Sequence, residues 1–214
     1  MSERLPSLIV VSAPSGAGKS TVLARVLGRV PALRFSVSHT TRAPREGELD
    51  GVEYHFVSRE AFESLARSDR LLEWAHVHGQ LYGTAKAEYE RARERREDLL
   101  LDIDVQGADQ VRARFPAAVS VFILPPSYAV LEQRLRTRGQ DDEASIRRRL
   151  ETARREVPLY RRYDHVVIND DIEICVDAVI SIIRAARSRT SQVEEAAARV
   201  LATFLPFEEP AKNS

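Results

Sequence analysis

The sequence has little cysteine, few lysines, no net charge and no long apolar run. Its single cysteine, Cys175, excludes an internal disulfide, is typical of a reducing compartment and lies in an apolar helical pattern that predicts a core position. The 32 basic and 32 acidic side chains cancel, so net charge gives no reason to expect nonspecific binding to nucleic acid or a membrane. No apolar run reaches the roughly 18 residues of a membrane span, and no signal-like segment precedes the first predicted strand. We therefore expect a cytoplasmic protein without nucleic acid or membrane partners.

Residues 8–21 have the layout of a phosphate-binding loop. The β-branched run 8–11 predicts a buried strand, a small-residue turn follows, and an amphipathic helical pattern comes after Lys19 and Ser20. Backbone N–H groups in such a turn form an anion nest, and the helix N-terminus adds partial positive charge. Lys19 would then reach the β- and γ-phosphates of a nucleotide, and the Ser20 hydroxyl would reach Mg²⁺.

The loop departs from the usual pattern at Ala13, where a glycine is usual. Gly16 and Gly18 remain, so the turn nearest the phosphates keeps its backbone freedom. The chain has only three lysines, and one of them is Lys19, as suits a site that needs a compact ammonium. The nucleotide-binding residues predicted in the loop are Ala13, Pro14, Ser15, Gly16, Ala17, Gly18, Lys19, Ser20 and Thr21.

Four apolar runs that alternate with helical patterns predict the fold class. Parallel strands are predicted at 8–12, 99–104, 119–124 and 165–168, of which the first three are apolar enough to be buried and the last is short. This alternation predicts an α/β fold, a parallel sheet with helices on both faces. Ligands of such sheets bind at the carboxyl ends of the strands, where the loop 13–20, Asp102, Asp104 and Asn169 would meet.

The chain is predicted to consist of a core with two inserted parts. The block 35–96 lacks the long apolar strands of a buried parallel sheet and is expected to be a small mixed insertion. Its predicted elements are strands at 35–41, 52–57 and 71–77, a helix at 59–66 capped by Ser58, a turn at 78–83 and a charged helix at 84–96. Further helices are predicted at 128–137, 143–156 and 172–187, with another from Thr190. The predicted division is a core of 1–34, 97–125 and 157–190, the insertion 35–96, a lid 126–156, and a C-terminal helix and tail 191–214.

Two carboxylates stand near the end of the predicted strand 99–104. Asp102 and Asp104 are two residues apart, so on a strand they would point to the same face. They would hold Mg²⁺ through water or accept a hydrogen bond from substrate; the alternative is a pair of solvated acids at a strand end. A charged side chain in an apolar strand is costly without a partner, which favours the functional interpretation.

The stretch 134–149 is rich in arginine. Its members are Arg134, Arg136, Arg138, Arg147, Arg148 and Arg149. One interpretation is a solvated helix face that pairs with neighbouring acids. The other is a lid, since phosphoryl transfer gathers charge that mobile arginines can close over, and Gly139 would supply a hinge.

The insertion carries a second set of polar side chains: Ser38, Arg42, Arg45, Tyr54, Glu73, Tyr82 and Thr84. Arg42 and Arg45 lie on a polar loop, and two guanidiniums together with two phenols suit an anionic phosphate. Glu73 lies between Leu72 and Trp74 and is either a paired core acid or a carboxylate that recognises a base.

The chain resembles guanylate kinase in six motifs that lie in the order of that family. They are Ser-Ala-Pro-Ser-Gly-Ala-Gly-Lys-Ser-Thr (12–21), Ser-Val-Ser-His-Thr-Thr-Arg-Ala-Pro-Arg (36–45), Glu-Trp-Ala (73–75), Tyr-Gly-Thr (82–84), Leu-Asp-Ile-Asp-Val-Gln-Gly (101–107) and Ile-Asn-Asp-Asp (168–171). Together they cover roughly residues 6 to 188, and jointly they are highly specific. A phosphate loop alone would indicate only an enzyme that uses a nucleoside triphosphate.

The resemblance implies a kinase of three parts that transfers the γ-phosphate of ATP to GMP with Mg²⁺, giving ADP and GDP. By position, it implies that GMP is bound by Ser38, Arg42, Arg45, Tyr54, Glu73, Tyr82, Thr84 and Asp102. It implies that ATP is bound by the loop 13–21 with Arg134, Arg138 and Asn169. Catalysis would rest on Lys19, Arg42, Arg134, Arg138 and Arg149, and the metal would be held by Ser20, Asp102 and Asp104.

Two other functions compete with this prediction. One is a guanylate-kinase-like module that binds a protein partner without catalysis, but Lys19, Ser20 and the lid arginines are all present and favour an enzyme. The other is a kinase for a different small phosphate acceptor, against which Glu73 and Thr84 argue. The expected partners are ATP and GMP, in a monomer or a homo-oligomer.

Overall fold

The computed structural model describes residues 5–77, 79–137 and 142–204. Its strands are β1 (Leu8–Ser12), β2 (Leu33–Phe35), β3 (His39–Thr40), β4 (His55–Phe56), β5 (Leu71–Val77), β6 (Gln80–Ala85), β7 (Asp98–Asp102), β8 (Val119–Leu124) and β9 (His165–Ile168). Its helices are α1 (Lys19–Arg29), α2 (Arg59–Arg67), α3 (Lys86–Glu94), α4 (Val105–Arg114), α5 (Tyr128–Thr137), α6 (Glu143–Glu156), α7 (Ile172–Arg187) and α8 (Thr190–Ala202), with a 3-10 helix at Val157–Arg162. Within these ranges, no helix combines the length and the apolar composition that crossing a membrane requires.

Five parallel strands form the core sheet in the order β2-β7-β1-β8-β9. Successive side chains of β1 point to opposite faces: Ile9 and Val11 pack with α1 and α7, whereas Leu8 and Val10 pack with α3 and α4. Cys175 is fully buried in the first of these clusters, as predicted. The predicted α/β class, a parallel sheet covered by helices on both faces, is confirmed.

The chain after β2 forms a second sheet of four strands in the order β4-β3-β6-β5. Strand β6 pairs antiparallel with β3 and β5, and β3 pairs parallel with β4. Helix α2 covers this sheet through Phe62, which is buried with Leu71 and Leu81. The side chain of Ser58 caps α2, as predicted.

Two strands predicted in the insertion differ from the structure. The strand predicted at 35–41 is divided between the two sheets, since β2 ends at Phe35 and β3 begins at His39. The predicted strand includes only the last residue of β2, and its alternating pattern does not show where the chain leaves the core sheet. The strand predicted at 52–57 is reduced to β4, His55–Phe56.

The turn predicted at 78–83 is wrong, and the helix predicted at 84–96 is present but begins two residues later than predicted. Residues 80–83 belong to β6, and α3 begins at Lys86. Gly83 suggests a turn in the sequence, but it lies within the strand because a Cβ there would come 2.8 Å from the carbonyl oxygen of Glu73. The close approach of two backbones explains a glycine at this position.

The second half of the chain follows the predictions closely. Helices α5, α6 and α7 and strand β9 have the predicted bounds, and α8 begins at Thr190. The predicted strand 99–104 is shorter, since β7 ends at Asp102 and α4 begins at Val105. The proposed hinge Gly139 lies outside the described residues.

Candidate functional site

The loop after β1 has the backbone of an anion nest. Gly16 and Gly18 adopt left-handed conformations, with φ of 93° and 91°, which other residues rarely adopt. Helix α1 begins at Lys19, directly after Gly18, so its N-terminal N–H groups and partial positive charge face the loop. Ala13 is partly buried against the core cluster, and the glycines nearest α1 make the turn without a glycine at position 13.

Asn169 and Arg134 support this loop. The side-chain amide of Asn169 donates to the carbonyl of Ala17 at 2.7 Å, and a Cβ at Gly18 would overlap with that amide. Arg134 donates to the carbonyl of Asn169 at 3.0 Å and to that of Ala17 at 3.4 Å. Arg134, Asn169 and Thr21 also line a cleft of about 750 Å³ beside the loop. This cleft is distinct from the one that Lys19 lines.

Lys19 forms an ion pair with Asp102, the last residue of β7. The Lys19 ammonium also lies 3.5 Å from the carbonyl oxygen of Ile103. The two side chains are 19% and 25% exposed, and both line a cleft between the phosphate loop and strands β5 and β6, named here the central cleft. An incoming phosphate would therefore compete with the Asp102 carboxylate for Lys19.

Asp104 does not share a strand face with Asp102, so that prediction is wrong. Because β7 ends at Asp102, Asp104 instead caps α4, and its Oδ1 accepts from the backbone N–H of Gly107 at 2.9 Å. Its Oδ2 accepts from the Gln106 side chain at 3.0 Å. Asp104 still lines the same cleft as Asp102. Among the described residues, no group of three or more His, Cys, Asp or Glu side chains is arranged to hold a metal ion.

Glu73 is a buried carboxylate on β5, and only 2% of the residue is exposed. The backbone N–H and the hydroxyl of Thr84, on the neighbouring strand β6, donate to its Oε1 at 2.9 and 2.8 Å. The Ser38 hydroxyl lies 3.1 Å from that of Thr84. In the part of the chain that the structure describes, both hydrogen bonds to Glu73 end on Oε1, so Oε2 keeps its acceptor capacity.

Burial raises the pKa of Glu73 to about 7, against the opposing effect of the hydrogen bonds from Thr84. Glu73 is a paired acid, because it accepts hydrogen bonds from Thr84. It is also a cleft residue, because it lines the same cleft as Lys19. The two interpretations that the sequence leaves open are compatible in this geometry.

Arg42 is held by Glu48. Its two Nη atoms donate to the two carboxylate oxygens, each at 2.9 Å, and this bond raises the pKa of Arg42 and lowers that of Glu48. The guanidinium lies 5.5 Å from the ring centre of Tyr54, which contacts the Tyr82 ring at 5.8 Å. The Arg45 side chain is exposed and lies outside the lining of the cleft, while its backbone N–H donates to Glu48 at 2.7 Å.

Helix α6 presents one face to the cleft through Arg149, Thr152 and Glu156. Their spacing of three and four residues places them on one side of the helix. Arg149 donates to the Ser15 hydroxyl at 3.3 Å, so this helix contacts the phosphate loop. The predicted residue Arg138 lies outside the described residues.

Glu156 is a cleft residue that sequence reasoning missed. Burial, and then the neighbouring Asp104 carboxylate, raise its pKa to about 7, while Lys19 acts in the opposite direction. The signal that could have identified it is its position seven residues after Arg149, two turns along the same helix face.

The central cleft, of about 330 Å³, is lined both by the predicted phosphate loop and by the polar side chains predicted in the insertion. The predicted residues that line it are Ala13, Pro14, Ser15, Gly16, Gly18, Lys19, Ser20, Ser38, Tyr54, Glu73, Tyr82, Asp102, Asp104 and Arg149. Thr84 is fully buried next to Glu73, and Arg42 stacks on Tyr54. The phosphate loop and the insertion therefore face each other across one space.

Comparison with known proteins points to one family. The family model described as guanylate kinase matches residues 6–186. The guanylate kinase of Desulfitobacterium hafniense is 46% identical over 185 residues, which are 86% of this chain and 92% of that protein. The guanylate kinase of Vibrio vulnificus is 50% identical over 183 residues, 85% of this chain and 88% of that protein.

A solved structure agrees with these relatives. The crystal structure of guanylate kinase from Anaplasma phagocytophilum superposes with a TM-score of 0.80 at 33% identity, covering 98% of this chain and 100% of that one. Since the family model matches most of the sequence and the relatives align over nearly their whole length, the chain belongs to the guanylate kinase family.

Proposed function

We propose that the protein transfers the γ-phosphate of ATP to GMP, giving ADP and GDP. The observation that carries this proposal is the single cleft that has Lys19 of the phosphate loop and Glu73 of the insertion in its lining. The loop supplies a site for the donor phosphates, and a buried carboxylate with a free acceptor oxygen supplies a site for a purine base. The relatives named guanylate kinase support the same activity.

For the donor, the loop 13–21 is the proposed phosphate site, with Arg134, Arg138 and Asn169 as further ATP-binding residues. Lys19 would exchange the Asp102 carboxylate for the β- and γ-phosphates, to which the α1 N-terminus also offers N–H groups. Fixed positive charge at the transferring group lowers the barrier because little reorganisation is needed during the reaction.

Mg²⁺ is the proposed metal, and the residues fit an ion that arrives with the nucleotide. Ser20, Asp102 and Asp104 supply the hard oxygen donors that Mg²⁺ prefers, and this ion usually binds through one or two carboxylates, substrate phosphates and water. Binding of this kind does not require a preformed cage of three carboxylates, and the described residues contain none. When bound, Mg²⁺ would neutralise charge on the transferred phosphoryl group.

For the acceptor phosphate, the proposed ligands are Ser38, Arg42, Arg45, Tyr54 and Tyr82. Ser38, Tyr54 and Tyr82 line the cleft directly. The fork of Arg42 is bound to Glu48 in the same bidentate geometry that a phosphate would accept. Binding GMP would therefore exchange one anion for another at Arg42.

For the base, the proposed ligands are Glu73, Asp102 and Thr84. Guanine presents N1–H and the N2 amine as adjacent donors, and an ionised carboxylate only accepts. Glu73 Oε2 is available for one of them, whereas the Thr84 hydroxyl donates to Glu73 Oε1 and would have to leave it to reach the guanine O6. Adenine places an acceptor at N1, so a site built on these acceptors would reject it.

The proposed parts of the kinase are those predicted from the sequence: a core, the GMP-binding insertion 35–96 and the lid 126–156. Catalysis would rest on Lys19, Arg42, Arg134, Arg138 and Arg149, of which Arg149 already contacts Ser15 across the cleft. The buried free thiol of Cys175 fits a reducing compartment, and we place the enzyme in the cytoplasm.

A coupled assay with ATP, Mg²⁺ and a panel of nucleoside monophosphates tests this function. We expect high activity with GMP, weaker activity with IMP because it lacks the N2 amine, and activity with AMP that is lower by about 10⁴-fold. Equal use of AMP and GMP would contradict the proposed base site. Absence of turnover with every nucleotide would instead support a binding module without catalysis.

A further inference from the structure

Helix α4 of the core lies along the free edge of β5, the edge strand that carries Glu73. The side-chain amide of Gln110 donates to the carbonyl of Trp74 at 2.6 Å, and its side-chain oxygen accepts from the N–H of Trp74 at 3.2 Å. Gln110 thus makes the two backbone hydrogen bonds that a neighbouring strand would make with Trp74. Arg114 donates to the carbonyls of Leu71 and Leu72 at 3.2 and 3.0 Å. The backbone on both sides of Glu73 is therefore fixed by one helix of the core.

Gly107 lies on the same side of α4, one turn before Gln110. A Cβ at this position would overlap with Oε2 of Glu73, and its next neighbour outside Glu73 would be Ile103, at an ordinary 3.4 Å. Gly107 lies within a regular helix and is absent from the residues with positive φ. Since alanine favours a helix more than glycine does, the helix itself gives no reason for glycine here; the Glu73 carboxylate does.

We propose that Gly107 and Gln110 are positioning residues for guanine selection, an inference that rests on the function proposed above. Gly107 leaves the space that Glu73 Oε2 occupies, which is the oxygen that the hydrogen bonds from Thr84 leave available. Gln110 fixes the strand that carries the carboxylate.

The same helix connects this position to the phosphate end of the cleft. Asp104 caps α4 through the N–H of Gly107 and lines the cleft together with Asp102. Helix α4 thus contacts Glu73 through Gly107, its third residue, and reaches the phosphate side of the cleft through its cap, Asp104. We expect a change at Gly107 to act on the carboxylate first, because Glu73 is the side chain that a Cβ there would meet.

The test is the substitution Gly107→Ala. Because the added methyl meets the far end of one side chain, we expect Glu73 to turn away while the fold persists, with a Tm equal to or above that of the wild type. The kcat/KM for GMP should fall by about 100-fold, the preference for GMP over IMP should shrink by about tenfold, and the KM for ATP should change less than about twofold. Gln110→Ala should show the same pattern more weakly.

The control is Ala113→Gly, an exposed position of the same helix. It should lower the Tm through helix propensity and leave the preference for GMP over IMP unchanged. A thermodynamic cycle gives a readout that needs no activity: in a Glu73→Ala background, Gly107→Ala should raise the Tm by more than it does when Glu73 is present.

Each outcome decides the inference. Gly107→Ala with wild-type preference for GMP over IMP, a variant that fails to fold, or equal Tm changes in both backgrounds would overturn it. A wild-type protein that does not phosphorylate GMP would overturn the proposed function instead, and the Tm cycle would then still test the contact between Gly107 and Glu73.

Discussion

The substitution Glu73→Gln should separate the cost of the buried carboxylate to stability from its benefit to function. Burial raises the pKa of Glu73 from 4.5 to about 7, so the folded protein binds a proton more tightly than the unfolded chain. The stability that this proton supplies is fully present below pH 4.5 and is lost as the pH rises to about 7. Above that pH the ionised side chain opposes folding.

The magnitude follows from the two pKa values. A rise from 4.5 to about 7 corresponds to roughly 3 kcal/mol, and no correction for solvent exposure is needed because the residue is only 2% exposed. Glutamine does not ionise, and its oxygen can still accept both hydrogen bonds from Thr84. The stability of the variant relative to the wild type should therefore increase by about 3 kcal/mol between pH 4.5 and pH 8.

Urea unfolding of both proteins at several pH values between 5 and 8 measures this difference, with linear extrapolation to water. Glu90→Gln, an exposed glutamate on α3, is the matched control for the loss of a charge in the insertion. In parallel, Glu73→Gln should cost GMP roughly 2–4 kcal/mol in kcat/KM with the ATP KM nearly unchanged, because an acceptor oxygen becomes a donor amide.

A stability difference that stays flat from pH 5 to pH 8 would refute the argument from burial. A variant that loses less than about threefold in kcat/KM for GMP would refute the assignment of Glu73 to the base. The two results are independent, so each can fail alone.

Three further changes test the phosphate side. Lys19→Ala should lower kcat by about 10²-fold or more, and a variant that keeps over a tenth of wild-type turnover would contradict the role of Lys19. Arg149→Ala should lower kcat far more than it changes GMP affinity without ATP; equal losses measured by kinetics and calorimetry would place Arg149 outside the transition state. Glu48→Gln weakens the bidentate partner of Arg42, so GMP would displace it at less cost and the KM for GMP should fall by several-fold while the ATP KM stays constant; an unchanged or higher GMP KM would contradict the exchange of anions at Arg42.

The sequence predicts most of the core because hydrophobic periodicity reports burial directly. The strands at 8–12 and 119–124 are buried and have the predicted bounds. The edge strand at 165–168 also has the predicted bounds, although its Val166 and Ile168 side chains are exposed. It does not predict β2, a partly buried edge strand of three residues, since so short a run carries no period of its own. It misassigns β6 because Gly79 and Gly83 suggest a turn, whereas only the neighbouring strand β5 shows why Gly83 is needed.

The candidate site is predicted by residue type, but its pairings are not. Motif spacing identifies Lys19, Glu73 and Arg42 as candidates, and two of them line the cleft. Their partners in the structure are Asp102, Thr84 and Glu48, and motif spacing does not show which residue pairs with which. The role of Gly107 is likewise invisible in the sequence, because it depends on a strand more than thirty residues away.

These pairings have a consequence for how the substrates bind. Two of the cations proposed for phosphate are already neutralised by carboxylates, Lys19 by Asp102 and Arg42 by Glu48. In the proposed function, substrate phosphates would displace these internal anions, which would cost part of the binding energy and disfavour weakly charged anions. Each displacement would also free the carboxylate that had paired with the cation, Asp102 when ATP binds and Glu48 when GMP binds. When ATP draws Lys19 away, Asp102 becomes an acceptor beside the cleft, so we expect the donor nucleotide to complete the site that recognises guanine.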